Sequence, residues 1–286
     1  MTKAKDGNGD PRKVALITGC SSGIGRATAI RLHEAGWKVC ATARKRSAIA
    51  ELAAMGMSTL SLDVTDEQSM RSAVRAVEEA EGGIDALVNN AGYSQSGAIE
   101  AVPIDRVRAQ FETNVFGVVR MIQLVLPGMR ARGRGRIVNL SSMGGKLVFP
   151  GGGFYHATKY AIEALSDALR FEVKGFGVDV VIIEPGLIKS GFAEAAVATV
   201  GDTNDAYSDF HAQVARVTKE SYEKGPLARF AGKPEDVAEV IAKALEVKNP
   251  RPRYTVTASA KLLLMQRKLM SDRGWDRFLR GSFPSP

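Results

Sequence analysis

Residues 13–36 read KVALITGCSSGIGRATAIRLHEAG. Lys13–Thr18 is a short, β-branched apolar run, and a helical pattern, Gly25–Ala35, begins almost at once. Between them lies Thr18-Gly19-Cys20-Ser21-Ser22-Gly23-Ile24-Gly25, with glycines at G-x-x-x-G-x-G spacing. Glycine reaches backbone angles closed to other residues and lets a ligand approach the main chain. The first turn of a helix presents unpaired N–H groups and a partial positive charge. A strand, a glycine turn and a helix in that order therefore make a seat for a pyrophosphate. The residues expected to touch it are Gly19, Ser21, Ser22, Gly23, Ile24 and Gly25.

The same alternation continues outward. Lys38–Ala43, Ser58–Leu62, Ile84–Asn89, Arg136–Ser141 and Val178–Ile183 read as buried strands. Asp66–Glu81 and Tyr155–Lys174 read as helices between them. Strand–helix alternation predicts an α/β fold: a single, doubly wound parallel sheet of the Rossmann type with helices on both faces. Residues 1–11 are polar and read as a flexible tail, and 12–250 read as one dinucleotide-binding and catalytic domain. Pro250 and Pro252 break the pattern. Residues 251–286 then form an extension with a strand at Tyr254–Val256 and a basic amphipathic helix at Ala258–Met270, expected to pack on the same domain.

Composition narrows the classes. Apolar residues make up 45% of the 286 and charged residues 24%, ordinary for a globular chain. No apolar run approaches the roughly 18 residues that span a bilayer, and the first twelve lack the core of a signal peptide. Cys20 and Cys40 have no metal-type spacing, which fits a reduced, cytoplasmic setting. Cys20 is expected to pack rather than react. His33, His156 and His211 show no ligand spacing, so no metal site is expected, and His156 is expected to point off the Tyr155 face. The net charge is +8, yet Lys248–Pro286 holds nine Lys/Arg against two Asp/Glu, a net of +7. The basic character therefore belongs to the tail, and no nucleic-acid partner is expected of the main domain. Trp37 and Trp275 are read as packing residues.

The end of the second strand bears on the cofactor. An NAD site places an acidic residue there, against the adenosine ribose. Here Ala43 stands at that place and Arg44, Lys45 and Arg46 follow. An acid would repel a 2′-phosphate, whereas the planar fork of Arg44 can grip one. This predicts NADP(H) in preference to NAD(H).

Tyr155 and Lys159 are four apart in a helical stretch and so share a face. A phenol with a pKa near 10 is a poor base at neutrality, and a neighbouring ammonium would lower that value. Ser141 and Ser142 close the strand before this helix. Asn89-Asn90-Ala91-Gly92 ends the fourth strand, and Asn114 lies in the helical stretch beyond it.

With these motifs in order, the chain resembles the short-chain dehydrogenases/reductases. The shared features are T-G-x-x-x-G-I-G at Thr18–Gly25, Asp63-Val64, N-N-A-G at Asn89–Gly92, Asn114, Ser142, Y-x-x-x-K at Tyr155–Lys159, and Pro185-Gly186 with Ser190. The match runs from about residue 12 to 250, with serine at 190 where members usually have threonine. The resemblance implies that Tyr155 is the general acid/base and that Ser142 orients the carbonyl. It implies that Lys159 holds the nicotinamide ribose and lowers the Tyr155 pKa, while Asn114 fixes a relay water. It further implies that Asp63 and Val64 contact adenine and that Asn90, Ala91 and Gly92 wall the cofactor. Pro185, Gly186, Ile188 and Ser190 would lie at the nicotinamide end. A homo-oligomer, dimer or tetramer, is likewise implied.

Leu187–Ala198, followed by Tyr207 and Phe210, reads as an apolar substrate lining. In the extension, Leu262, Met265 and Leu269 share one helical face beside Gln266, Arg267 and Lys268, a pattern open to peripheral membrane contact. The tail resembles that of retinol- and hydroxysteroid-type members, which points to a steroid-, retinoid- or lipid-like substrate. The rival readings are a reductase of 3-ketoacyl thioesters or small carbonyls, and a cofactor-sensing regulator without turnover.

Overall fold

The structure is a computed structural model and describes residues 13–200, 206–224 and 228–283. The expected tail at 1–11 lies outside the described residues. In chain order the elements are β1 (Val14–Ile17), α1 (Gly23–Glu34), β2 (Lys38–Ala43), α2 (Ala50–Ala54), β3 (Ser58–Ser61), α3 (Glu67–Glu81) and β4 (Ala86–Asn89). Next come α4 (Ile104–Phe111), α5 (Gly117–Ala131), β5 (Gly135–Leu140), α6 (Gly153–Glu172) and β6 (Val178–Glu184). The remainder is α7 (Phe192–Val197), α8 (Ser208–Glu223), α9 (Pro234–Glu246), β7 (Arg253–Thr255), α10 (Ala258–Leu269) and α11 (Asp272–Arg280). One wide π turn, Glu112–Phe116, joins α4 to α5.

The strands form one sheet in the order β3-β2-β1-β4-β5-β6-β7, every pair parallel. Both faces are covered, so the strands can be apolar throughout. Successive side chains still point opposite ways. Ala15 and Ile17 pack with Leu32 of α1 and Ile241 of α9, whereas Val14 and Leu16 pack with Val74 of α3, Val125 of α5 and Ile162 of α6. Strand order reverses between β1 and β4, so the loops leaving them splay apart and open a crevice.

Helix ends set the local geometry. Asp66 caps α3 by accepting from the Ser69 N–H at 2.7 Å. No side chain caps α1 at Ser22, so its first N–H groups face the crevice without a side-chain cap. Gly19 holds a left-handed backbone (φ 74°) that turns the chain from β1 towards α1.

The extension is built into the molecule. Ala260, Leu263 and Trp275 form a third apolar cluster with Met143, Leu147 and Leu187. Its helix stops at Leu269, and a second helix, α11, follows where the sequence reading placed none. The charges and Gly274 of α11 hide a stripe on which only Trp275 is buried. Ser271 caps this helix by accepting from the Gly274 N–H at 3.2 Å.

Candidate active site

A cleft of about 1100 Å³ lies at the carboxyl ends of β1 to β6. The turns after those strands supply Gly19, Arg44, Asp63, Asn90, Ser142 and Gly186 to its wall. Ser21, Ser22, Gly23, Ile24, Val64, Ala91, Gly92, Tyr155, Lys159, Pro185, Ile188 and Ser190 line it as well. The sequence thus located one continuous surface from residues spread along the chain.

Two predicted residues lie behind that surface. A side chain on Gly25 would run into the Gly19 carbonyl and Asn90 Nδ2, so this glycine serves the close approach of α1 to the turn. Asn114, in the π turn, is 1% exposed. Its Nδ2 donates to the Tyr93 carbonyl (2.8 Å) and Thr158 Oγ1 (3.1 Å), and its Oδ1 accepts from the Tyr93 N–H (3.1 Å). In this arrangement Asn114 ties the chain after Gly92 to α6. A wide turn lets an inserted residue project from a helix without ending it.

At the adenine end, Asp63 Oδ1 accepts from the Thr65 N–H and hydroxyl at 2.9 and 2.7 Å. Ala43 is buried, while Arg44 is exposed and makes no ion pair among the described residues. Arg46 turns away, its Nε donating to Thr59 Oγ1 at 3.1 Å. Asn90 Nδ2 donates to the carbonyls of Thr18 and Gly19, both at 2.9 Å, which fixes the glycine turn against the β4 end. This set suits a dinucleotide: a helix N-terminus and serines for phosphate, an unpaired guanidinium further out, and apolar walls at Ile24, Leu62 and Val64.

At the other end, Ser142 Oγ accepts from the Gly144 N–H at 3.0 Å and lies beside the Tyr155 phenol. Lys159 Nζ donates to the Leu140 carbonyl at 2.7 Å and lies 5.7 Å from the Tyr155 ring centroid. Burial pushes the Lys159 ammonium down to about 8, against an opposing pull from Glu163. Burial likewise pushes the Tyr155 phenol up to about 12, against the opposing effect of Ser142. The expected lowering of Tyr155 is therefore not found in this arrangement. The Lys159 ammonium is turned to a backbone carbonyl, and desolvation of the phenolate outweighs it. The phenol is held as an acid.

Cys20 takes its expected packing role, whereas His156, expected to point away from Tyr155, lines the cleft with its ring 5.7 Å from that of Tyr155. The His156 ring bonds the Gly144 carbonyl (3.0 Å) through Nδ1, and its Nε2 accepts from the Phe149 N–H (3.1 Å). Burial pulls it down to about 4, so it is neutral and structural. Cys20 is buried, with its thiol pushed up to about 12, which suits packing and not attack. Tyr207 and Phe210 depart from expectation: neither lines the cleft. Tyr207 donates to Glu100 at 2.6 Å and packs on Phe210 and His211.

The sequence reading named Leu187 and Phe192 on the wall of the apolar lobe and missed the rest. Beyond Tyr155 the cleft is walled by Phe149, Leu187 and Phe192, by Val214, Val217, Thr218, Ser221 and Tyr222 of α8, and by Leu263, Phe278, Leu279 and Phe283 of the extension. The α8 residues recur at helical spacing, a signal present in the sequence. What it could not give is which partner that stripe faces. The Tyr155 and Phe192 rings lie 5.5 Å apart, and burial with nearby Tyr155 pushes the Tyr222 phenol upward.

Comparisons with known proteins agree with this geometry. The family described as short chain dehydrogenase matches residues 13–201. The chain is 37% identical to human 17-beta-hydroxysteroid dehydrogenase type 1, over 90% of this chain and 81% of that one. It is 36% identical to the 3-ketodihydrosphingosine reductase of Bacteroides thetaiotaomicron, over 90% and 92% of the two chains. Among solved structures, a short-chain dehydrogenase from Streptomyces avermitilis superposes with a TM-score of 0.78 at 35% identity, covering 94% of this chain and 98% of that one. The protein is an oxidoreductase and belongs to the short-chain dehydrogenase/reductase family, whose members use NAD(P).

Proposed function

We propose that this enzyme interconverts an apolar alcohol and its ketone or aldehyde with NADP(H), using Tyr155 as acid/base. One observation carries the reading: Ser142, Tyr155 and Lys159 meet on the wall of a single cleft, between a phosphate-binding helix start and an apolar lobe. When bound, a nicotinamide cofactor would supply or accept the hydride. The α1 N-terminus with Gly19, Ser21, Ser22 and Gly23 would hold its pyrophosphate, and Asp63 and Val64 would border adenine. Lys159 would hold the nicotinamide ribose, while Pro185, Gly186, Ile188 and Ser190 would border the carboxamide end. Ser142 orients the substrate oxygen. In reduction, Tyr155 Oη donates its proton to that oxygen as the carbonyl becomes an alcohol; in oxidation the phenolate takes it back. Asn114 positions α6 against the Gly92 turn and fixes the relay through Lys159.

Arg44 supports NADP(H). It is exposed, makes no ion pair among the described residues, and follows Ala43 where an acid would select NAD(H). The lobe supports an apolar substrate, as do the names of the steroid- and sphingosine-directed relatives. Buried, unpaired cysteines support a cytoplasmic setting, and the family supports a homo-oligomer.

Steady-state rates with NADPH and NADH, measured against a decalone, a steroid ketone and an acetoacetyl thioester, test the proposal. It expects turnover of the bulky apolar ketones and a preference for NADPH. Arg44→Asp should shift that preference towards NADH by roughly tenfold or more, the loss of one charge-assisted phosphate contact. An unchanged preference would refute the phosphate assignment, and thioester turnover alone would refute the substrate class.

A further inference from the structure

The extension has an outer surface that the reaction does not use. On α10, Ser259, Ala260 and Leu263 face inward and are buried. Leu262, Met265 and Leu269 lie along the opposite side, 43%, 57% and 79% exposed. Lys261 and Lys268, also exposed, flank this stripe. On α11 the buried residue is Trp275, and Arg273, Arg277 and Arg280 recur on the far side, all exposed. An apolar stripe beside basic residues is the pattern of a helix that lies in a bilayer interface.

The inner surface of the same segment closes the substrate lobe. Leu263, Leu279 and Phe283 line the cleft, and Phe278 lines it while remaining 40% exposed. The lobe therefore reaches the surface beside the basic face of α11. No helix among the described residues is long and apolar enough to cross a membrane, so contact here is peripheral.

We propose that the outer faces of α10 and α11 dock the enzyme on an anionic lipid bilayer, setting the apolar lobe at the interface. Charge decides the occupant. From Ala258 to Arg280 six Lys/Arg stand against two Asp, a net of +4, and one of those acids, Asp272, is engaged by Arg267 at 2.6 Å. A second copy meeting this face about a two-fold axis would set arginines against arginines. A surface of anionic headgroups neutralises the arginines and admits the Leu262–Leu269 stripe together. The route of substrate from bilayer to lobe rests on the proposed function; the docking itself does not.

Co-sedimentation of the full chain with vesicles tests docking without any substrate. One vesicle set is phosphatidylcholine alone, the other phosphatidylcholine with phosphatidylserine. The proposal expects binding to the phosphatidylserine set only, with release at high salt. Replacing Arg273, Arg277 and Arg280 together by Gln should cut partitioning roughly tenfold or more. Leu269→Gln, which removes the apolar side chain without changing the charge, should cut it as strongly, which a purely electrostatic polyanion site would not show. Unchanged thermal unfolding of both variants establishes that they fold. Three results would overturn the proposal: no binding to phosphatidylserine vesicles, equal binding by wild type and variants, or a Leu269→Gln change confined to oligomeric state. A failed ketone screen with intact vesicle binding would count against the proposed function alone.

Discussion

A methyl group placed on Gly25 would overlap the Gly19 carbonyl oxygen and Asn90 Nδ2, two atoms already bonded to each other at 2.9 Å. That bond fixes the turn whose exposed N–H groups face the crevice. Gly25→Ala should therefore destabilise the protein by about 1–3 kcal/mol, the usual cost of overpacking, and weaken NADPH binding. Denaturant unfolding and a cofactor titration measure the two effects; a variant unchanged in both would refute the close approach. Much of the site was legible at this scale because each motif is local: a turn, an i,i+4 pair, a strand end. The protonation of Tyr155 was not. The Tyr155–Lys159 spacing places an ammonium near a phenol, yet burial and the Leu140 carbonyl decide how strongly it acts. Those terms come from residues distant in the chain.

Helix α6 joins the reacting groups to the rest of the fold. Tyr155 and Lys159 face the cleft, and Glu163 and Asp167 follow at successive turns towards β7. Arg253 of β7 donates to Glu163 Oε2 at 2.9 Å and to Asp167 Oδ2 at 2.5 Å, and Lys146 lies 3.0 Å from Glu163. Glu163 is 4% exposed, and its Oε1 has no hydrogen-bond partner among the described residues. Removing Arg253 leaves a buried carboxylate with less compensation. Arg253→Met should cost about 2 kcal/mol or more, with Lys146 limiting the loss. Thermal unfolding checks this, and an unshifted transition would show the pairing to be idle. Elements were legible to unequal degrees. Parallel strands are covered on both faces and read as plain apolar runs. The helices of the lobe divide their apolar residues between the core and the cleft, so their patterns do not reveal what they line.

For the molecule as a whole, the cleft sets the pH behaviour. With Tyr155 held up to about 12, the phenol is protonated throughout the neutral range and ready to donate. Carbonyl reduction should stay level across neutrality and fall only on the alkaline side. On the proposed mechanism alcohol oxidation needs the phenolate, whose fraction grows with pH, so its kcat/KM should climb about tenfold per pH unit towards the Tyr155 value. A flat oxidation profile would contradict this assignment. The sheet, its order of crossing and the crevice could be foreseen, because alternating strands and helices admit few topologies. The packing of the extension over the lobe could not, since it depends on one apolar cluster drawn from Met143, Leu187, Leu263 and Trp275.

The central claim is that the Tyr155 hydroxyl carries the proton beside a bound nicotinamide, and Tyr155→Phe tests it most directly. With a ketone that the wild type reduces, the variant should lose roughly 10²–10⁴-fold in kcat, the range for a positioned acid. Its affinity for NADPH, followed by fluorescence titration, should stay near the wild-type value. Turnover retained at wild-type rate with NADPH bound would contradict the account.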